Sequence, residues 1–160
     1  MDDRLDLAFL LNQASYAFAS RLADALQEAG VTVREYCVLW KAGEAERSQA
    51  EIAAMAGLDK TTMVVTLDRL EEAGLAARQL SATDRRARVV QVTPDGRRAY
   101  ERGRVIVERV TEQTLAGLDA PTRTAMVRGL TALTSNDGPL ATPSHVMPQR
   151  RKQVRAGLTS

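Results

Sequence analysis

Residues 48–74, SQAEIAAMAGLDKTTMVVTLDRLEEAG, decide the fold. Ser48 and Glu51 form the Ser-x-x-Glu pattern of a capping box, which predicts the start of a helix. Asp59 is a natural N-cap for a second helix, which ends at Gly74. Two short helices joined by a turn that contains a glycine are typical of a helix-turn-helix, although helical bundles also contain such pairs.

A hairpin is predicted directly after these helices. Residues 75–80 and 87–93 alternate as paired strands do, and residues 81–88, SATDRRAR, connect them as a wing. The tip carries a carboxylate and two adjacent cations, Asp84, Arg85 and Arg86. A guanidinium held by Asp84 suits the negative potential of a narrow minor groove in DNA, and a surface ion pair is the alternative.

The helix over residues 60–73 has two different faces. Met63, Leu67 and Leu70 recur at helical spacing and are predicted to pack inward. The other face carries side chains that suit phosphates and base edges in a major groove: Lys60, Thr61, Thr62, Val65 and Arg69. An ordinary solvated helix face is the alternative.

The winged core spans residues 32–93 and opens with a capping box at Thr32 and Glu35, which predicts a helix through about Ala42. Long helices are predicted on both sides of this core. Residues 5–31 and 94–135 carry apolar stripes that one small protomer can cover only in part. Two copies that pack these stripes together form a homodimer, and the alternative is that the helices fold back on their own domain.

The length and composition favour one soluble globular domain, and the motifs above make it mainly α with a small β-hairpin. The 160 residues are 44% hydrophobic and 26% charged, with no apolar run of membrane-spanning length. The acidic start lacks the basic region of a secretion signal, so a cytoplasmic protein is expected. Cys37 and His145 are the sole cysteine and histidine, which argues against a disulfide, a metal site, a cofactor and an enzyme.

Charge is distributed unevenly along the chain. Residues 1–46 carry four cations and eight acids, whereas residues 75–109 carry nine arginines and four acids. The second segment fits a polyanion or a merely solvated face. Residues 136–160 form a basic, proline-containing tail that is predicted to be largely disordered, and it either adds phosphate affinity or only solubilises the protein.

Residues 50–96 resemble the winged helix-turn-helix core of the multiple antibiotic resistance regulator (MarR) family. The most specific elements are the Asp-Arg-Arg wing, the valine-rich strand after it, Thr-x-x-Gly at 93–96, and Gly74. The likeness spans roughly residues 32–96, and the flanking helices extend it to about 5–135.

The resemblance implies a homodimeric regulator, most often a repressor, that binds a pseudo-palindromic operator in double-stranded DNA. Residues 60–73 would be the recognition helix and Arg86 the minor-groove arginine, with Asp84 as its orienting partner and Arg85 on a phosphate. Ser48 would face the DNA backbone, and Arg88 completes the predicted interface. Val64 and Val65 stand where many members have polar residues, so base readout by hydrogen bonds would be sparse.

The family also implies a small phenolic or other aromatic effector. Tyr16, Tyr36 and Trp40 are candidates for its pocket, although the i, i+4 spacing of the last two in a core helix favours plain packing. Some members sense oxidants through a cysteine, and Cys37 is either such a sensor or a small buried residue. A protein-interaction module that uses the basic winged face is the remaining alternative.

Overall fold

The computed structural model describes residues 6–81 and 88–135 as a mostly helical chain with one small sheet. The helices are α1 (Leu7–Leu26), α2 (Val33–Glu44), α3 (Gln49–Met55), α4 (Lys60–Glu72), α5 (Pro94–Leu115) and α6 (Ala120–Thr134), and the strands are β1 (Ala76–Leu80) and β2 (Arg88–Val92). The predicted order of elements is therefore confirmed. Among the described residues, no helix is both long and apolar enough to cross a membrane.

Side-chain caps begin the helices where the sequence predicts them. The backbone N–H of Thr32 donates to Glu35 Oε2 at 2.7 Å, and the N–H of Glu35 donates back to Thr32 Oγ1 at 3.2 Å. Ser48 and Glu51 form the same reciprocal pair at 2.7 and 3.3 Å. Both capping boxes therefore satisfy N–H groups that have no partner within their own helix.

Helix α2 runs two residues past its predicted end at Ala42. Gly43 has helical geometry, and the helix ends at Glu44. Lys41 Nζ and Arg47 Nη1 lie 3.4 and 3.2 Å from the Glu44 carboxylate, and Arg47 also donates to the carbonyl of Lys41. A carboxylate at the C-terminal end of a helix is disfavoured by the helix dipole. The two cations offset this cost at Glu44, and the helix therefore continues to that residue.

The apolar stripe of α1 is buried only in the second half of the helix. Leu22 and Leu26 belong to the core, whereas Leu7, Leu10 and Leu11 are exposed. A single 3₁₀ turn, Gln27–Ala29, tightens the end of the predicted helix, and Gly30 closes it at φ 71°. At the other end of the chain, α6 buries none of its residues. Two apolar surfaces thus lie uncovered in the single chain.

The two strands form an antiparallel hairpin. Ala76 pairs with Val92 and Leu80 with Arg88, so Val90 and Val92 point into the core as their alternation predicts. A third segment joins the open edge of β2, because the N–H of Val90 donates to the carbonyl of Arg47 at 3.0 Å. The hairpin is therefore attached to the residues that precede α3.

The core lies between α2, α3, α4 and the hairpin. Its most deeply buried large side chains come from these helices and the end of α1: Leu26, Val38, Leu39, Ile52, Met63, Leu67 and Leu70. The prediction that Met63, Leu67 and Leu70 pack inward is therefore confirmed. This packing fixes α4 so that its opposite face points to solvent.

A clamp joins the end of α4 to the start of α5. Gly74, at φ 67°, ends α4, and its carbonyl accepts a 2.8 Å hydrogen bond from the Thr93 hydroxyl. The same hydroxyl caps α5 by accepting from the N–H of Gly96 at 3.0 Å. The N–H of Thr93 donates to the carbonyl of Leu75 at 3.1 Å. A β-carbon at Gly96 would overlap the Leu75 carbonyl group and would lie 2.9 Å from Val92 Cγ1.

Replacement of Gly96 by alanine should therefore lower the free energy of unfolding by about 1–3 kcal/mol, because backbone atoms have to move apart. Urea unfolding followed by circular dichroism measures this change. Gly43→Ala is the matched control, since nothing lies within 4 Å of its added β-carbon. Alanine in that helix should raise stability by about 0.5–1 kcal/mol. Equal unfolding midpoints for the two variants would contradict the clamp.

Candidate nucleic-acid interface

The outward face of α4 brings together four of the residues predicted to read DNA. Thr61, Thr62, Val65 and Arg69 line one side of a groove of about 590 Å³, and the first turn of α2 and two alanines of α1 complete its lining. Val65 is 48% exposed, whereas the next two residues of the same helix, Thr66 and Leu67, are buried. This face can therefore contact the edges of base pairs.

The two threonine hydroxyls of this face have different roles. Asp59 accepts from the N–H of Thr62 at 2.9 Å and from its hydroxyl at 2.6 Å, so Thr62 helps to cap the helix. These hydrogen bonds hold the pKa of the Asp59 carboxyl below its usual value. Thr61 is exposed and makes no side-chain hydrogen bond within residues 6–81 and 88–135, so its hydroxyl can reach a partner outside the protein.

Ser48 is fixed between α3 and the sheet. Its hydroxyl donates to Glu51 Oε2 at 2.7 Å, and its backbone forms a bridge with Val89 of β2. The residue is partly exposed. The same contacts therefore set the position of α3 relative to the hairpin.

The three residues of the predicted wing tip, Asp84, Arg85 and Arg86, lie outside the described residues. Arg88 opens β2 and is exposed opposite Leu80, and Lys60 is exposed at the first position of α4. Arg88 therefore marks the base of the wing and Lys60 the start of α4, and the role of the tip stays a prediction.

Ion pairs interrupt the cationic surface of the arginine-rich segment in its described residues, 75–81 and 88–109. Four of the seven arginines described there pair with carboxylates: Arg78, Arg98, Arg104 and Arg109. Sequence reasoning missed Arg34, which is exposed on the wall of the groove that faces α4. Its place in the acidic first part of the chain concealed it, because only the tertiary fold brings α2 next to α4.

Known structures and a family model match this arrangement. The model of the MarR family matches residues 29–87. A MarR-family transcriptional regulator from Rhodococcus sp. RHA1 is 30% identical over 79% of this chain and 91% of its own, with a TM-score of 0.73. The chain belongs to the MarR family. It is thus a transcriptional regulator with a winged helix-turn-helix, as its sequence predicted.

Two other MarR-like structures were solved with ligands. CouR from Rhodococcus jostii RHA1, bound to p-coumaroyl-CoA, is 31% identical over 80% of this chain and 91% of its own, with a TM-score of 0.73. The MarR-family protein Rv2887 from Mycobacterium tuberculosis, in complex with DNA, is 28% identical over 81% and 98%, with a TM-score of 0.69.

The MarR protein also has a cavity of about 590 Å³ between the end of α2, the end of β2 and the start of α5. Trp40, which is 40% exposed, and Tyr100 line it. Tyr36 instead lies buried and stacks on Tyr100 at 5.5 Å between ring centroids, and burial raises its pKa to about 12. Tyr16 is 73% exposed on α1. Of the three aromatic residues predicted to form a pocket, the cavity includes Trp40.

Cys37 lies on α2 and is half-buried against the core. Burial raises the pKa of its thiol, and the charge of Lys41 opposes this only in part. A raised pKa leaves less of the reactive thiolate at neutral pH. The environment therefore favours the structural interpretation of Cys37 over the redox one.

We expect iodoacetamide to alkylate Cys37 more slowly in the folded MarR protein than in urea, and more slowly than it alkylates glutathione at the same pH. Mass spectrometry of quenched samples gives the rates, and Cys37→Ser controls for labelling at other sites. A folded-state rate above that of glutathione would indicate an activated thiol and revive the oxidant-sensing hypothesis.

Proposed function

We propose that this MarR protein is a homodimeric repressor that binds a pseudo-palindromic operator. Helix α4 enters the major groove, and the wing, residues 81–88, reaches the adjacent minor groove. The observation that carries the proposal is the exposed face of α4, where Thr61, Val65 and Arg69 line the same groove. The complex of the related Rv2887 with DNA supports it.

The chemistry of this face indicates how a sequence would be read. Val65 offers an apolar surface to thymine methyl groups, whereas Thr61 offers one hydroxyl and Arg69 a guanidinium. Arg34, across the groove from Arg69, is placed to meet a phosphate of the strand that borders the helix. With few hydrogen-bonding groups on α4, more of the specificity falls to methyl contacts and to groove shape.

The uncovered apolar surfaces support the homodimer. Leu7, Phe9, Leu10 and Leu11 are exposed on α1, and Met126, Val127 and Leu130 are exposed on α6. Exposed apolar patches of this kind mark interaction sites, and a second copy offers the same helices in return. A dimer would present two copies of α4, as a pseudo-palindrome requires.

Fluorescence anisotropy with duplexes that tile the upstream intergenic region tests the repressor proposal. We expect selective binding that saturates at two protomers per operator. Arg86→Ala should weaken this binding by about 1–3 kcal/mol. Arg104→Ala is the control, because this exposed arginine of α5 is already held by Glu101 and Glu108. Equal affinity for a scrambled duplex, lost at moderate salt, would leave only a basic surface and favour a protein partner.

The cavity near Trp40 is the site that we propose for an aromatic effector with an anionic group. Its volume suits a drug-sized ligand. Leu39, Trp40, Val92 and Tyr100 supply its apolar part, so Tyr100 contributes the second ring that the sequence assigned to Tyr16 or Tyr36. The p-coumaroyl-CoA bound to the related CouR contains an aromatic acyl group and phosphates.

The charges around this cavity favour an anion. Glu101 pairs with Arg104 at 2.9 Å, and Glu44 pairs with Lys41 and Arg47, so cations already neutralise both acids of the rim. Within the described part of the chain, Arg97 and Arg102 of the rim have no carboxylate partner. A ligand carboxylate or phosphate would supply one.

Trp40, the sole tryptophan, makes the cavity visible in fluorescence. We expect p-coumarate to change this emission in a saturable way and the uncharged methyl ester of the same acid to bind more weakly. Arg102→Gln should remove most of the difference between the two compounds, because it removes a partner for the charge. Equal affinities of the acid and the ester for the wild-type protein would exclude an anion site here.

A further inference from the structure

The side chain of Arg78, in the middle of β1, connects three elements of the winged core. Its backbone N–H donates to Glu71 Oε1 at 2.6 Å, and its Nη1 donates to the other oxygen of the same carboxylate. Its Nη2 lies 2.7 Å from Asp68 Oδ1, and its Nε lies 3.3 Å from Gln49 Oε1. One guanidinium thus ties the first strand of the hairpin to α4 and to the first residue of α3.

The second strand is held by different contacts. Its Val90 N–H donates to the carbonyl of Arg47 at 3.0 Å, and Val89 forms a bridge with Ser48. The Ser81 hydroxyl, at the last described position before the tip, donates to Glu46. A two-stranded hairpin is marginally stable alone, so these attachments set its direction. On the side of β1, Arg78 supplies the polar attachment to α4.

The geometry of this cluster requires an arginine, and a lysine would not replace it. The planar fork of a guanidinium can meet two carboxylates and an amide at once, whereas a lysine ammonium is a point charge. Two acids also offset the charge of Arg78, and its side chain is only 24% exposed. Although Arg78 belongs to the arginine-rich segment, its charge is paired with carboxylates of the protein itself.

We propose that Arg78 is a positioning residue that fixes the strands of the hairpin at one angle to α4, so that α4 and the wing carried by these strands meet their grooves in a single docking event. The proposal rests on the DNA-binding function proposed above and adds to it a residue that acts without touching DNA. Asp68 and Glu71 are its partners on the recognition helix, and both lie outside the row formed by Thr61, Val65 and Arg69.

Neutralisation of Asp68 tests the proposal, because electrostatics alone and a positioning role predict opposite changes in operator affinity. Asp68→Asn removes a negative charge from the DNA-binding domain and releases Arg78, so plain electrostatics predicts tighter operator binding. A positioning role predicts binding weaker by about threefold to fivefold, as expected from the loss of a partly exposed ion pair. Glu72→Gln is the matched control, since Glu72 is an exposed acid of the same helix with no ion pair among the described residues.

Arg78→Lys separates position from charge in the same anisotropy assay. It should weaken binding as Asp68→Asn does, because lysine keeps the charge and loses the fork. Wild-type affinity in Arg78→Lys, or tighter binding in both Asp68→Asn and Glu72→Gln, would overturn the proposal.

Hydrogen exchange of the free protein distinguishes this proposal from the DNA-binding function on which it rests. Both variants should exchange faster in residues 76–80 and 88–92 and keep the wild-type rate in α5. If the wild-type protein selects no duplex while the hairpin loosens as expected, the DNA-binding proposal fails and the attachment by Arg78 stands. Unchanged exchange in the hairpin would overturn the role of Arg78 whatever the DNA result.

Discussion

The contact between the turn after α4 and the first turn of α5 is the constraint on which the rest of the structure depends. The Thr93 hydroxyl caps α5 and also donates a hydrogen bond to the carbonyl of Gly74. One side chain between β2 and α5 therefore both starts α5 and contacts the residue that ends α4. Gly96 makes this approach possible because a β-carbon there would overlap the carbonyl of Leu75. Helix α5 therefore cannot rotate against α4 without breaking these hydrogen bonds.

Local chemistry explains why the sequence predicted so much of the fold. Both capping boxes, the Asp59 cap and the Thr-Pro start of α5 depend on residues within three positions of each other, so their partners can be read directly from the chain. The inward row of α4 follows in the same way from helical periodicity. The prediction for α2 was wrong by two residues because the cation that supports its end, Arg47, follows the helix in the loop.

The pairing of charges could not be predicted, because it depends on contacts between distant segments. Arg78 meets Gln49, which lies 29 positions earlier, and Arg109 meets Glu28 across 81 positions. A sum of charges over residues 75–109 treats such arginines as equivalent to Arg88. The fold divides them into arginines that hold elements together and arginines left for a partner, and this division carries the functional information. The cavity near Trp40 was predicted only in part for the same reason. Trp40 could be named as a pocket residue, but α2, β2 and α5 each supply part of the wall.

The positions of the cavity and the clamp together suggest how an effector would act on the recognition helix. Val92 and Arg97 line the cavity, and they flank Thr93 and Gly96 of the clamp in sequence. Arg97 also donates to the carbonyl of Val92 at 3.0 Å, which bridges the junction between β2 and α5. A ligand anion that attracts Arg97 competes with this bridge. A ligand shifts the balance between two conformations of a protein only if it binds one of them more tightly. An anion held here would therefore favour a conformation in which the junction between β2 and α5 is different. Any such difference reaches α4 through Thr93 and Gly74, because the same hydroxyl holds both helices.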